Sequence, residues 1–531
     1  MDHRSPAPRR APDPGSSRFA WHPEPETLDL SADGARAALE ELGQRTWALA
    51  LDYLYSEALV RPVGPDSYPE LRARFFGPSG RPSPAPVAPS SAADVLAEVR
   101  DRVVPFLYNA YHPRSFSYFT PPPLPMSVAG ELLSQVFHQG IDVFHSGPVG
   151  ALLEEEVTRW LADLVGAGPE GWGVLTSGGV MANLMAMTVA RDRHLARVAG
   201  ATGAPRAGAL ERARVYVSDQ AHFSIARALD MLGFPPEALV VVPSDGRYRL
   251  QAEPVARRVA ADRAAGLLPF CIAAVSGSTN TGSVDDVPGL AEVAAREGLW
   301  LHVDAAYGGA ARLSARDASR VPGLELADSV TVDPHKWLFQ AYDVGALVVA
   351  RREDLHATFD RSPEYYRSAI PEDEPLNWLE YSMEGTRRFR ALKLWTSWKH
   401  LGSSGLARLV ERDNDVAAFL AAEIARSPDF EPALAEPELS IVCFRHLVPG
   451  MSDAQLDAHQ DRLQRALEVS GEAWVSTTRL SGRTYLRAGV MNWLTTEEDA
   501  LGLLESLRRL ARADLGDRRD RYPRDGYPRD R

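Results

Sequence analysis

Cysteine is almost missing from this chain. Cys271 and Cys443 are the only two in 531 residues, each inside an apolar run (PFCIAAVS and LSIVCFRH). Two such thiols exclude a disulfide framework, and buried free thiols in a reducing compartment are expected instead. Long apolar runs are missing too: no segment approaches the roughly 18 apolar residues needed to span a bilayer. The start of the chain, Met1-Asp2-His3-Arg4 onward, is polar and proline-rich and lacks the apolar core of a secretory signal, so a cytoplasmic location is expected. There is no basic excess either. With 58 Lys and Arg against 71 Asp and Glu, the net charge of −13 argues against nucleic acid and reads as solubility. What is present is ordinary for a soluble globular protein: 45% hydrophobic and 24% charged residues. The length exceeds one ordinary core, so two or three structural units are expected.

Composition shifts mark those units. Residues 1–16 are rich in proline, serine and arginine and read as a disordered tail. Residues 514–531 carry a repeated Tyr-Pro-Arg-Asp word without an apolar face and read as a second one. Between them, 17–110 reads as a helical extension. Helical spacing runs over 31–58 behind Ser31 as N-cap, 81–91 is an extended connector, and 92–106 is another helix. From 172 to 350 the pattern becomes short apolar runs alternating with helical segments: WGVLT, ARVYVS, ALVVV, FCIAAVS, LWLHVD, DSVTV and GALVVA. Seven such strands predict an α/β domain over 111–395, its sheet mostly parallel and covered by helices on both faces. Mixed helices and strands over 396–513 predict a smaller α+β C-terminal domain.

The chemistry concentrates at Val332-Asp333-Pro334-His335-Lys336-Trp337, directly after an apolar strand-like run. Strand ends are where α/β enzymes place their sites, and burial there favours the neutral form of a lysine, which can form a Schiff base with a carbonyl cofactor. His302-Val303-Asp304-Ala305-Ala306-Tyr307 lies upstream, and 336 − 304 = 32 residues leave room for one helix and one strand between Asp304 and Lys336.

Those two words, HVDAAYGG at 302–309 and VDPHKW at 332–337, resemble the pyridoxal-phosphate-dependent group II amino-acid decarboxylases. LTSGGVMANLMAM (175–187), SDQAHFSIARA (218–228) and GTRRFRALKLW (385–395) match in the same order, and the resemblance runs from about residue 18 to about residue 512. It implies a fold-type I enzyme, pyridoxal 5′-phosphate as cofactor, and a homodimer with shared active sites across which the N-terminal extension packs.

The cofactor's demands then select residues. Its aldehyde needs Lys336. Its pyridine nitrogen needs a buried carboxylate, and Asp304 has the identity and the place; a helix-capping aspartate is the plain alternative. Its phosphate needs backbone N–H groups at a helix start, which Thr176-Ser177-Gly178-Gly179-Val180 offers between a strand and a helical run. The resemblance implies amide contacts from Gly179 and Val180 and a further cofactor contact from His335. It also implies His222 stacked on the ring, Ala306 beneath it, and Thr279 against a ring substituent or the substrate carboxylate. Asp333 departs from the asparagine often found there, so no phosphate contact is carried over to it. Residues 360–380 read as a mobile loop, in which Pro363-Glu364-Tyr365 matches the family's catalytic tyrosine word, with Tyr366 adjoining.

Tyrosine at 365 favours decarboxylation over the oxidative aldehyde formation of relatives with phenylalanine there. The expectation is a carboxy-lyase converting an L-amino acid, most readily an aromatic one, to its amine and CO2. Tyr118 and Phe119 line up with substrate-pocket residues of the aromatic enzymes. GIDVFHSGPVGALLEEE departs from those enzymes, leaving glutamate, aspartate or 2,4-diaminobutyrate as alternatives.

Overall fold

The computed structural model describes residues 34–55, 61–62, 67–77, 79–198, 200, 207–361 and 376–521. It divides into two units, the first comprising the chain through Leu107 apart from 60–66, the second those seven residues and everything from Tyr108 onward. Among the described residues the first unit holds three α-helices, α1 (Ala35–Tyr55), α2 (Tyr68–Phe76) and α3 (Ala92–Glu98). Ser91 caps α3 by accepting the Asp94 N–H. The helix expected over 92–106 changes pitch: a π-helical turn (Val99–Val103) and a 3-10 turn (Val104–Phe106) follow α3. Pro105, which has no N–H to give, sits where the helix breaks up. Ser31 lies outside the described residues, and 81–91 is exposed and forms neither helix nor strand.

In the second unit all seven expected strands form: β1 (Trp172–Thr176), β2 (Ala213–Ser218), β3 (Leu239–Val242), β4 (Leu268–Val275), β5 (Trp300–Asp304), β6 (Ser329–Val332) and β7 (Gly345–Val349). Their order is β1-β7-β6-β5-β4-β2-β3, with β7 antiparallel to both neighbours and every other pairing parallel. Each residue of β2, β5, β6 and β7 is buried, as a sheet covered on both faces requires. The covering helices include α4 (Pro125–Phe137), α5 (Pro148–Val165), α6 (Gly179–Val189), α7 (Phe223–Met231), α8 (Ala252–Ala264), α9 (Val287–Glu297) and α10 (Arg352–Phe359).

The long helix α11 (Ala391–Arg426) leads to a four-stranded antiparallel sheet, β10-β11-β9-β8, made of β8 (Phe430–Pro432), β9 (Ile441–His446), β10 (Ser476–Leu480) and β11 (Arg483–Gly489). Helices α12 (Asp453–Ser470) and α13 (Glu497–Arg521) complete it around a core that includes Phe116, Phe444, Leu486 and Leu503. The tail expected from residue 514 is therefore helical as far as Arg521. Extending a formed helix adds one hydrogen bond per residue without a new nucleation cost, which the missing apolar face conceals in the sequence. Cys271 and Cys443 are buried and unpaired, and among the described residues no helix is long and apolar enough to cross a membrane.

One buried ion pair fixes the end of β1. Glu154 on α5 accepts hydrogen bonds from the Leu175 N–H at 3.1 Å and from Arg387, whose guanidinium also reaches the Leu175 carbonyl (3.0 Å) and Ser382 Oγ (2.7 Å). Neither ionic side chain is more than 1% exposed. Removing one partner strands the other in an apolar interior, so Arg387→Met should cost about 3–5 kcal/mol. That loss should appear as a lowered urea midpoint with secondary structure intact at zero denaturant; an unchanged midpoint would show that the pair does not hold β1.

Candidate active site

Parallel strands bring their carboxyl ends to one edge, and the antiparallel β7 brings its first residue there. Thr176, Val275, Asp304 and Val332 thus end beside Gly345 around a cleft of about 360 Å³. Gly345 is demanded by the closeness of the parts: a Cβ there would stand 2.5 Å from Gly178 Cα and 2.7 Å from Asp333 Oδ1. Helix α6 starts at this edge. Its first internal bond runs from Ala182 N–H to the Gly178 carbonyl, so the N–H groups of Gly179, Val180 and Met181 have no partner within the helix, and all three residues line the cleft. Such a helix start favours an anion.

Asp304, 6% exposed, ends β5. Its Oδ1 accepts the Ala306 N–H at 3.1 Å and its Oδ2 the Asn183 amide at 2.8 Å. Asn183 also donates to Ser224 Oγ (2.8 Å), while its carbonyl oxygen accepts from Thr331 Oγ1 (2.6 Å) and lies 3.0 Å from His302 Nε2. Burial holds His302 neutral, its pKa pushed down to about 4. His222 caps α7 and lines the cleft, its Nδ1 2.8 Å from Ser224 Oγ, and burial again lowers its pKa.

Across the cleft, Lys336 Nζ lies 3.1 Å from Asp333 Oδ2 and 5.4 Å from the centre of the Phe119 ring. Lys336, Lys393 and Lys399 are the chain's three lysines, so nearly every other cation is an arginine, which cannot deprotonate. Asp333 is buried, with Oδ1 lacking a hydrogen-bond partner among the described residues. His335 Nδ1 accepts the Val344 N–H at 3.3 Å, and burial lowers its pKa. An aldehyde carrying an anionic group and a basic ring nitrogen fits this edge, with Lys336 for the aldehyde, the α6 amides for the anion and Asp304 for the ring nitrogen.

Comparison with known proteins agrees. Residues 78–447 match the model of the pyridoxal-dependent decarboxylase conserved domain. An aromatic-L-amino-acid decarboxylase of Bacillus atrophaeus is 30% identical over 488 residues, 92% of this chain and 97% of that protein. An L-2,4-diaminobutyrate decarboxylase of Acinetobacter baumannii is 29% identical over 75% of this chain and 79% of its own length. Among solved structures, that of Oryza sativa TDC with PLP and tryptamine superposes with a TM-score of 0.82 at 26% identity, covering 92% of this chain and 99% of that one.

The chain belongs to the pyridoxal-dependent decarboxylase family. It is a carboxy-lyase that uses pyridoxal 5′-phosphate.

Within this decarboxylase the cleft gathers Gly179, Val180, His222, Thr279, Asp304, Ala306, His335, Lys336 and Phe119. Tyr118 is not among its walls. That ring is 60% exposed, packs edge-on against Trp474 at 5.0 Å, and borders a neighbouring pocket of about 470 Å³ that shares Phe119 and Thr279. Tyr365 and Tyr366 lie outside the described residues. Three residues escaped the sequence reading. Asn183 stood in an apolar helical run, where only its being polar and helix-disfavoured could have marked it. Asp333 was set aside for want of a family contact, although its spacing of three from Lys336 allowed the ion pair. Arg487 looked like an ordinary strand residue of β11. It is 5% exposed, stacks on Phe119 at 4.8 Å and donates to the carbonyls of Thr279 and Ser117, each at 2.8 Å, and its Nη2 has no hydrogen-bond partner among the described residues.

The neutral histidines set an acid limit. Between pH 6.5 and about 4 the unfolded chain protonates His302 while the folded protein does not, so stability falls as pH falls through that window. The urea midpoint should drop between pH 7 and 5, and His302→Gln should remove part of that slope; a variant with the full wild-type slope would contradict it.

Proposed function

We propose that this enzyme decarboxylates an aromatic L-amino acid to its amine, with Lys336 as the amine that anchors the cofactor. The observation that carries this reading is the lining of the cleft. It includes Phe119, whose ring centre lies 5.4 Å from Lys336 Nζ, with Phe223 and Tyr307, and among the described residues its charged side chains are Asp304, Asp333, Lys336 and the histidines. Asp333 is paired with Lys336 and Asp304 with Asn183, which leaves aromatic surface rather than a counter-ion for the substrate's side chain. The name of the Bacillus atrophaeus relative supports the same substrate class.

Bound pyridoxal phosphate supplies an aldehyde for the substrate amine and a ring that accepts the electron pair left behind when CO2 departs. The chain supplies the rest. Gly179 and Val180 would hold the phosphate through their backbone amides, beside His335. Asp304 would keep a proton on the ring nitrogen, the condition for that ring to act as an electron acceptor. His222 and Ala306 line the same cleft and would contact the ring, and Thr279 would border the substrate. Tyr365 returns a proton to Cα, with Tyr366 beside it. The cofactor-binding domain of the proposal spans 111–395 and the small domain 396–513.

We further propose that the enzyme works as a cytoplasmic homodimer. Leu132, Val136 and Phe137 on α4 and Val149 and Leu152 on α5 are each at least half exposed, more apolar surface than two helices of a monomer ordinarily show. A second reading of the substrate rests on Arg487. A buried cation beside Phe119 with an unpartnered Nη2 suits a carboxylate and favours glutamate or aspartate.

A panel of the twenty amino acids with DOPA, ornithine and 2,4-diaminobutyrate, assayed for CO2 and amine, separates the readings. Aromatic substrates should lead by at least about tenfold in kcat/KM, and Tyr365→Phe should divert product from amine to aldehyde. Preference for glutamate or aspartate would replace the first reading by the second, and unchanged amine output in Tyr365→Phe would remove Tyr365 as proton donor.

A further inference from the structure

The hydrogens around Asn183 can be assigned from chemistry alone. Its Nδ2 is a donor with two hydrogens and its Oδ1 an acceptor. The atom facing Asp304 Oδ2 at 2.8 Å must be the nitrogen, because an amide oxygen turned toward a carboxylate would set two acceptors against each other. That orientation also gives Oδ1 to the Thr331 hydroxyl at 2.6 Å and to His302 Nε2 at 3.0 Å. The second Nδ2 hydrogen then goes to Ser224 Oγ at 2.8 Å. With its oxygen accepting from Asn183, Ser224 has one hydrogen left to place, and His222 Nδ1 stands 2.8 Å away. The Ser224 backbone N–H points at the same nitrogen from 3.4 Å. A ring nitrogen that accepts cannot carry a proton.

We propose that Asn183 and Ser224 are positioning residues that hold His222 as a neutral imidazole with its proton on Nε2, presenting an N–H donor to the cleft. No described residue pairs with Nε2, and the open side of His222 lines the cleft. Burial lowers the affinity of the ring for a second proton, in keeping with a neutral donor. His222 therefore meets its ligand as a donor for an oxygen acceptor, such as a carboxylate, and not as a base. The plain alternative is a helix cap only: His222 does cap α7. A cap needs an acceptor at Nδ1 but has no use for Ser224 Oγ, for Asn183 or for their link to Asp304. That link ties the residue proposed to hold the cofactor's ring nitrogen to the residue proposed to contact that ring. The inference uses the cofactor site proposed above but is independent of which amino acid is the substrate.

Nitrogen-15 spectra of the full-length holoenzyme labelled in histidine test it, with the His222 signals identified by their loss in His222→Gln. The wild type should show an unprotonated Nδ1 and a protonated Nε2. Ser224→Ala should shift that pair toward the opposite tautomer, and Ser224→Thr, which keeps a hydroxyl, should restore it. A protonated Nδ1 in the wild type would overturn the proposal even if no variant folds, as would an unchanged pair in Ser224→Ala. Visible absorbance of bound cofactor on the same samples keeps the two readings apart. Its absence from the wild type would sink the cofactor site without touching the tautomer.

Discussion

The hydrogen bond from the Asn183 amide to the Asp304 carboxylate, 2.8 Å long, is the interaction on which the rest of the site depends. Through this one amide, α6 is joined to the end of β5, to Thr331 on β6 and to Ser224 on α7. Each group in the set has its partner, the condition under which a buried polar network specifies one arrangement instead of weakening the core. A helix whose first turn is proposed to receive a phosphate and a carboxylate proposed to meet a ring nitrogen must keep a fixed separation. Asn183 provides that by belonging to the first and bonding to the second.

The opposite wall follows a different logic. Gly345 packs so closely on Gly178 and Asp333 that a Cβ added to it would meet backbone or carboxylate inside 3 Å. This crowding sets the position of His335 and Lys336 without a long hydrogen-bond chain. The ion pair between Lys336 and Asp333 gives the amine a charge partner within reach, while the Phe119 ring closes the apolar side. The cleft thus combines one rigid, hydrogen-bonded wall with one held by steric fit.

Much of this was readable from the chain. The seven strands are short apolar runs bounded by turn residues, and their alternation with helical segments carries the parallel sheet directly. Asp304 and Lys336 stand out because each follows a strand-like run and the two words around them, HVDAAYGG and VDPHKW, resemble the family's. Asn183 could not be read so, since its partners lie 41, 119, 121 and 148 residues away in sequence. Arg487 escaped for the same reason: a buried cation in a strand declares itself only once Phe119 and Thr279 are seen beside it. The place of Tyr118 in a neighbouring pocket, and the helix continuing to Arg521, likewise follow from packing and chain continuity, which leave no local mark.

Asp304→Asn tests the centre of this reading most directly. The amide keeps the size of the carboxylate but loses the charge proposed to retain a proton on the ring nitrogen. With Lys336 intact, the variant should still take up pyridoxal phosphate and show its visible absorbance, while CO2 release falls by about 10²–10³-fold, the scale of losing one preorganised electrostatic partner. Release at the wild-type rate from a fully loaded variant would contradict the role given to Asp304.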